Sequence, residues 1–114
     1  MAHSIPHITV HELAERRQQA DLPLQLIDVR ESEELAIAAL EPCIHLPLSQ
    51  FPHWAPTLPQ TLDSTVETIV FCHHGMRSAQ LCHWLMDQGF VNVKNVSGGI
   101  DAYAVGVDST LNRY

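Results

Sequence analysis

The sequence predicts an α/β fold in which a parallel sheet is covered by helices on both faces. Three observations carry this. Short β-branched and aromatic runs alternate with stretches of good helix formers along the whole chain. Several strand candidates are nearly continuous apolar runs, as strands buried on both faces should be. Polar residues follow directly on two of those runs, and parallel sheets gather their functional groups just past the carboxyl ends of strands. A chain of 114 residues, 46% hydrophobic and 17% charged, is sized for one domain, residues 1–114, with a core of its own.

The elements follow in order. Ile8-Thr9-Val10 reads as a short strand. Residues 11–20 read as a surface helix, with Leu13 apolar among Glu12, Glu15, Arg16 and Arg17. Residues 24–29 form a buried strand ending in polar groups. Residues 31–39 are rich in helix formers. Cys43-Ile44-His45-Leu46 is a strand closed by Pro47. Pro47, Pro52, Pro56 and Pro59 restrict residues 47–59 to short helical turns. Thr68-Ile69-Val70-Phe71 is the strongest strand. Residues 77–88 read as a helix that puts Leu81, Cys82 and Leu85 on one face and stops at Gly89. Residues 91–96 alternate as a strand, and Gly98-Gly99 leads into a last helix over 100–105.

Charge and length exclude several classes. The net charge is −7, from 13 acids against 6 bases, which disfavours nucleic acid or an anionic membrane as a partner. The longest apolar run, residues 35–40, has six residues, and a membrane span needs about 20. The opening Met1-Ala2-His3-Ser4-Ile5-Pro6 lacks the basic start and apolar stretch of a signal peptide. Three cysteines, an odd number, then point to free thiols in a reducing cytoplasm.

The chemistry concentrates in Cys72-His73-His74-Gly75-Met76-Arg77-Ser78. Cys72 follows the central strand, and the loop after it runs straight into a helix. A backbone curling between strand and helix start aims several N–H groups at one point, and such a nest binds anions. Gly75 allows the tight path, and Arg77 supplies a permanent positive charge at the mouth. A cysteine so placed has a lowered pKa and reacts as a thiolate.

Here the chain resembles the rhodanese-like domains, a family of sulfurtransferases. The matching pieces are Leu26-Ile27-Asp28-Val29-Arg30, the Cys72–Ser78 loop with Ala79, and Gly98-Gly99-Ile100-Asp101-Ala102-Tyr103. Residues 108–114 resemble a tail seen in small members. The resemblance implies a five-stranded, mostly parallel sheet with helices on both faces. It also implies that Cys72 accepts a sulfane sulfur as a persulfide and passes it on. The chain departs from the family in having His73 and His74 where Arg or Lys is common after the cysteine. Tyr103 stands where Trp is frequent, and residues 38–43 lack a His and Gly that many members have.

The expected site follows. Cys72 and Arg77 carry catalysis, and His73, His74, Gly75, Met76 and Ser78 hold substrate. Asp28 and Arg30 brace the cysteine loop from the neighbouring strand. Cys82 and Cys43 read as core. Eight histidines raise a zinc site, but Cys82 and His83 lie on different faces of their helix and no Cys-x-x-Cys is present. Neither metal nor cofactor is expected. The partners expected are a small sulfur donor, thiosulfate or a persulfide, and an acceptor that is cyanide, a thiol or a protein. Two other readings are a non-enzymatic sulfur carrier or protein-binding module, and a cysteine phosphatase. Phosphatase loops place five residues between cysteine and arginine, whereas four stand between Cys72 and Arg77.

Overall fold

The computed structural model describes residues 4–114. Five strands pair entirely in parallel: β1 (His7–Ile8), β2 (Leu24–Asp28), β3 (Ile44–His45), β4 (Glu67–Phe71) and β5 (Val93–Val96), in the spatial order β1-β5-β4-β2-β3. The strongest sequence strand, β4, is therefore central. Its register sets Phe71 beside Asp28 and Val70 beside Asn95. Three polar or nucleophilic groups, Asp28, Cys72 and Asn95, are thus brought to the carboxyl end of the three middle strands.

Side chains alternate across the sheet, and each face builds its own core. Leu26, Ile69, Phe71 and Val96 pack with α1 (Val10–Arg17) and α6 (Gly99–Gly106) through Leu13, Ile100 and Tyr103. Ile27, Val29, Val70, Cys72 and Val93 pack on the other face with α5 (Met76–Asp87) through Leu81, Cys82 and Leu85. Leu58 and Leu62 complete that second core. The proline-rich stretch is a chain of short turns over 48–61, including α3 (Phe51–Trp54) and α4 (Leu58–Thr61). Phe51, Trp54 and Trp84 meet edge to face there, so Trp84 packs.

One element differs from the sequence reading. Thr9 and Val10 are not strand: Thr9 caps α1, its hydroxyl accepting from the Glu12 N–H while the Glu12 carboxylate accepts from the Thr9 N–H. This capping box outweighs the β propensity of Thr and Val. The remaining differences are at ends: α2 is confined to Ser32–Ile37, and β3 leaves out Cys43 and Leu46. Among the described residues, no helix is long and apolar enough to cross a membrane.

Candidate active site

Cys72 lies one residue past β4, on the α5 face, with 1% of its surface exposed. Its Sγ accepts hydrogen bonds from the Gly75 N–H at 3.0 Å and the Ser78 hydroxyl at 3.3 Å. Burial pushes the thiol up. The Ser78 hydroxyl and the N–H groups of Ser78, Gly75 and His74 outweigh burial and bring it below the ordinary thiol value. One main-chain N–H and one hydroxyl thus hold the sulfur directly.

Two glycines and an asparagine hold the loop in that shape. Gly75 enters α5 at φ 107°, a left-handed conformation that turns the chain into the helix. Gly99, at φ 61°, allows the start of α6 to press against the loop: a Cβ there would lie 2.4 Å from the Cys72 and His73 carbonyl oxygens. Those carbonyls instead accept from the N–H groups of Ile100 at 2.9 Å and Asp101 at 3.1 Å. Buried Asn95 donates to the Gly75 carbonyl at 3.0 Å, and its Oδ1, 2.5 Å from the Ser78 hydroxyl, shares that group's single hydrogen with Cys72 Sγ. Ser78 is thus buried beneath the sulfur, where it supports Cys72, and is not a residue of the mouth.

Arg77, expected to supply a permanent positive charge at the mouth, is paired with a carboxylate. Its two terminal nitrogens form a bidentate pair with Glu34, at 2.8 and 3.0 Å. Glu34 also accepts from the Tyr114 hydroxyl at 3.0 Å. Burial raises the Glu34 carboxyl, but these hydrogen bonds outweigh it and hold the group below the usual carboxylate range. Arg77 remains within the electrostatic reach of Cys72.

Asp28 and Arg30 are fully buried and paired. Asp28 accepts from the Arg30 side chain at 2.8 to 3.2 Å and from its N–H at 2.9 Å. Arg30 also donates to the Ala38 carbonyl and the Tyr114 hydroxyl, and stands over the Phe71 ring. The brace expected between this pair and the cysteine loop is therefore indirect. It runs from Arg30 through Tyr114 and Glu34 to Arg77.

His73 and His74 do reach the mouth. His73 stacks on Tyr114 and leaves its Nε2 buried without a hydrogen-bond partner. Burial, and secondarily His74, lower it below the ordinary imidazole value. His74 is exposed, with Nδ1 4.0 Å from Asp101. Met76 is 78% exposed at the first turn of α5. Cys82 is buried, and burial first, then Cys72, pushes its thiol up to about 12. Burial also raises half-buried Cys43. His3, His7 and His11 recur at intervals of four, a spacing that would align them on a helix. Of these, His7 lies in β1 and His11 in α1, across the Thr9 cap, and His3 is outside the described residues. No group of three or more His, Cys, Asp or Glu among the described residues is placed to hold a metal ion.

Glu34, Asn95 and Tyr114 escaped the sequence reading. The profile of the rhodanese-like domain family matches residues 9–105, from the α1 cap through the cysteine loop into α6. The chain belongs to the rhodanese-like domain family. A chloroplastic rhodanese-like/PpiC domain-containing protein 12 of Arabidopsis thaliana is 41% identical over 112 residues, covering 96% of this chain and 38% of that protein. The chain thus spans little more than a third of that relative's length. A protein of Allochromatium vinosum named a sulfurtransferase is 34% identical over 79 residues, 69% of this chain and 70% of that one. The crystal structure of a rhodanese-like domain protein from Staphylococcus aureus superposes with a TM-score of 0.75 at 26% identity, covering 96% and 99% of the two chains. The five-stranded rhodanese-like sheet that the resemblance implied is the one present, and all its pairings are parallel.

Proposed function

We propose that residues 1–114 act as a single-domain sulfurtransferase that carries sulfane sulfur on Cys72. The observation that carries this reading is the Cys72 sulfur itself, held by the Gly75 N–H and the Ser78 hydroxyl and lowered toward the thiolate. A thiolate is the reactive form, and the same donors suit the anionic outer sulfur of a persulfide.

The step balances without a cofactor. The Cys72 thiolate attacks the outer sulfur of the donor. The donor S–S bond breaks, and its electron pair leaves as sulfite from thiosulfate, or as a thiolate from a persulfide. An acceptor thiolate or cyanide then attacks the outer sulfur on Cys72, and the Cys72 thiolate is the leaving group. Cys72 is the catalytic residue. Arg77, closed on Glu34, borders the entrance, and His73, His74 and the Gly75 backbone shape it. Free thiols suit a reducing compartment, which supports a cytoplasmic setting. A carrier role for a protein partner would use the same persulfide. The phosphatase reading lacks support, because four residues between Cys72 and Arg77 give a shorter loop than phosphatases use.

The test is intact-mass measurement after incubation with sulfur donors. One added sulfur, removed by a reducing agent and absent in Cys72→Ser, is the expected result. Sulfur that persists on folded Cys72→Ser, or phosphate release from an aryl phosphate that outpaces sulfur transfer, would overturn the reading.

A further inference from the structure

The electrostatic balance around Cys72 bears on which donors it accepts. Three ion pairs stand on segments that flank the cysteine loop, and each is internally neutral. Arg77 is closed on Glu34, Arg30 on Asp28, and Arg113 on Asp101 at 2.9 and 3.2 Å. The thiolate adds one negative charge. Elsewhere, Arg16 and Lys94 share Glu67, which opens β4 at the end opposite Cys72. Arg17 donates to the Tyr103 hydroxyl and the Glu41 carbonyl. His74 stands 4.0 Å from Asp101, and half-buried His73 is disposed toward its neutral form. Among the described residues, then, no arginine or lysine stands at the entrance with its charge uncompensated, and the chain as a whole carries −7.

From this balance we infer that Glu34 is a specificity-determining residue that turns the site away from dianionic donors and toward persulfides of low charge. The inference rests on the sulfur-transfer reading above. Arg77 opens the helix that follows the cysteine loop, and both its terminal nitrogens are spent on Glu34. Thiosulfate brings two negative charges to a site whose sum is already −1, and its leaving group, sulfite, departs with two. An alkyl hydropersulfide with no other ionisable group brings at most one negative charge, on its terminal sulfur, and meets less repulsion. It reacts by S–S cleavage, and the departing alkyl thiolate takes up the proton of its terminal sulfur. The neutral donors on Cys72, which are N–H groups and a hydroxyl, serve both donors alike. Discrimination therefore falls to the charge pair, and Tyr114 fixes Glu34 in it through a hydrogen bond that Met or Leu could not make.

The experiment compares Glu34→Gln with the parent protein, using thiosulfate and a neutral alkyl hydropersulfide as alternative donors and Cys72 persulfide formation as the readout. Removing one negative charge at the mouth should raise kcat/KM for thiosulfate about tenfold. The value for the alkyl hydropersulfide should change less than about twofold, so the ratio is the signature. A ratio that is unchanged, or that moves toward the persulfide, overturns the inference. The parent protein supplies a second measurement that needs no variant. Its thiosulfate rate should rise with ionic strength as repulsion is screened, and a flat or falling rate overturns the inference equally. If neither donor loads Cys72 of the parent protein, sulfur transfer itself is refuted; if both load it and the ratio stays fixed, only the role of Glu34 is.

Discussion

The ring of Tyr114 lies flat on that of His73, with centroids 3.9 Å apart and planes 5° from parallel, while its hydroxyl joins Arg30 to Glu34. The last residue of the chain thus covers the first residue after the nucleophile. Eighty-four residues separate Tyr114 from Arg30, yet one side chain ties the buried pair of β2 to the entrance.

Removing the ring should therefore be visible at His73. In Tyr114→Ala, the His73 titration followed by NMR is expected to move up toward the ordinary imidazole value of 6.5 as burial is relieved. A histidine lowered in the folded state stabilises the protein above its unfolded pKa, and that stability is lost as pH falls through the folded value. The parent should lose stability more steeply than the variant below about pH 6.5. A His73 midpoint that stays in place would assign the shift to His74.

Ser78→Ala tests how much of the thiolate rests on a side chain. The hydroxyl is one of four donors that lower Cys72. Its loss should raise the Cys72 pKa, since a hydrogen bond to the charged form is removed. The pH profile of Cys72 alkylation reads this directly. An unchanged midpoint would mean that the main chain alone holds the thiolate.

Gly99→Ala and Gly89→Ala make a matched pair. Both glycines have positive φ, at 61° and 95°, so alanine strains either backbone by about 1–3 kcal/mol. At Gly89 a Cβ meets nothing within 4 Å, whereas at Gly99 it meets the Cys72 and His73 carbonyls. Denaturant unfolding should show a further loss of about 1–3 kcal/mol for Gly99→Ala, and sulfur loading should fall only in that variant. Equal effects would show that the contact with α6 is easily relieved.

Asp28→Asn breaks a buried pair and leaves Arg30 uncompensated. A loss of about 3–5 kcal/mol in unfolding free energy is expected, with a smaller loss of activity in the protein that remains folded. Inactivity at full stability would instead give Asp28 a direct part in the chemistry.

Legibility in the sequence followed distance along the chain. β2 and β4 announce themselves through Leu26, Ile27, Ile69, Val70 and Phe71, and the Cys72 loop through its Gly75 and its helix start, because these signals are local. The Thr9 cap was also local, and its Thr-x-x-Glu pattern was there to be read. Glu34 and Tyr114 are different. Glu34 lies 43 residues from Arg77, and nothing in its acidic helix turn distinguishes it from Glu31 or Glu33. The sidedness of Asn95 gave the only hint: it sits between Val93 and Val96 as a buried polar residue that had to find a partner. The partner of Arg77 went unseen for the same reason, since its counter-charge comes from another helix.

The clasp between Gly99 and the Cys72 loop has a consequence for how such a site diversifies. Peptide groups of the loop are gripped from both sides, N–H groups turned in on sulfur and carbonyls turned out to α6. The reactive scaffold is therefore inscribed in main chain, which mutation of a side chain leaves unedited. Met76 and His74 project from that scaffold as replaceable ornaments, and Glu34 belongs to another helix altogether. Selection could redraw the clientele of this sulfur centre through those positions while leaving its engine untouched.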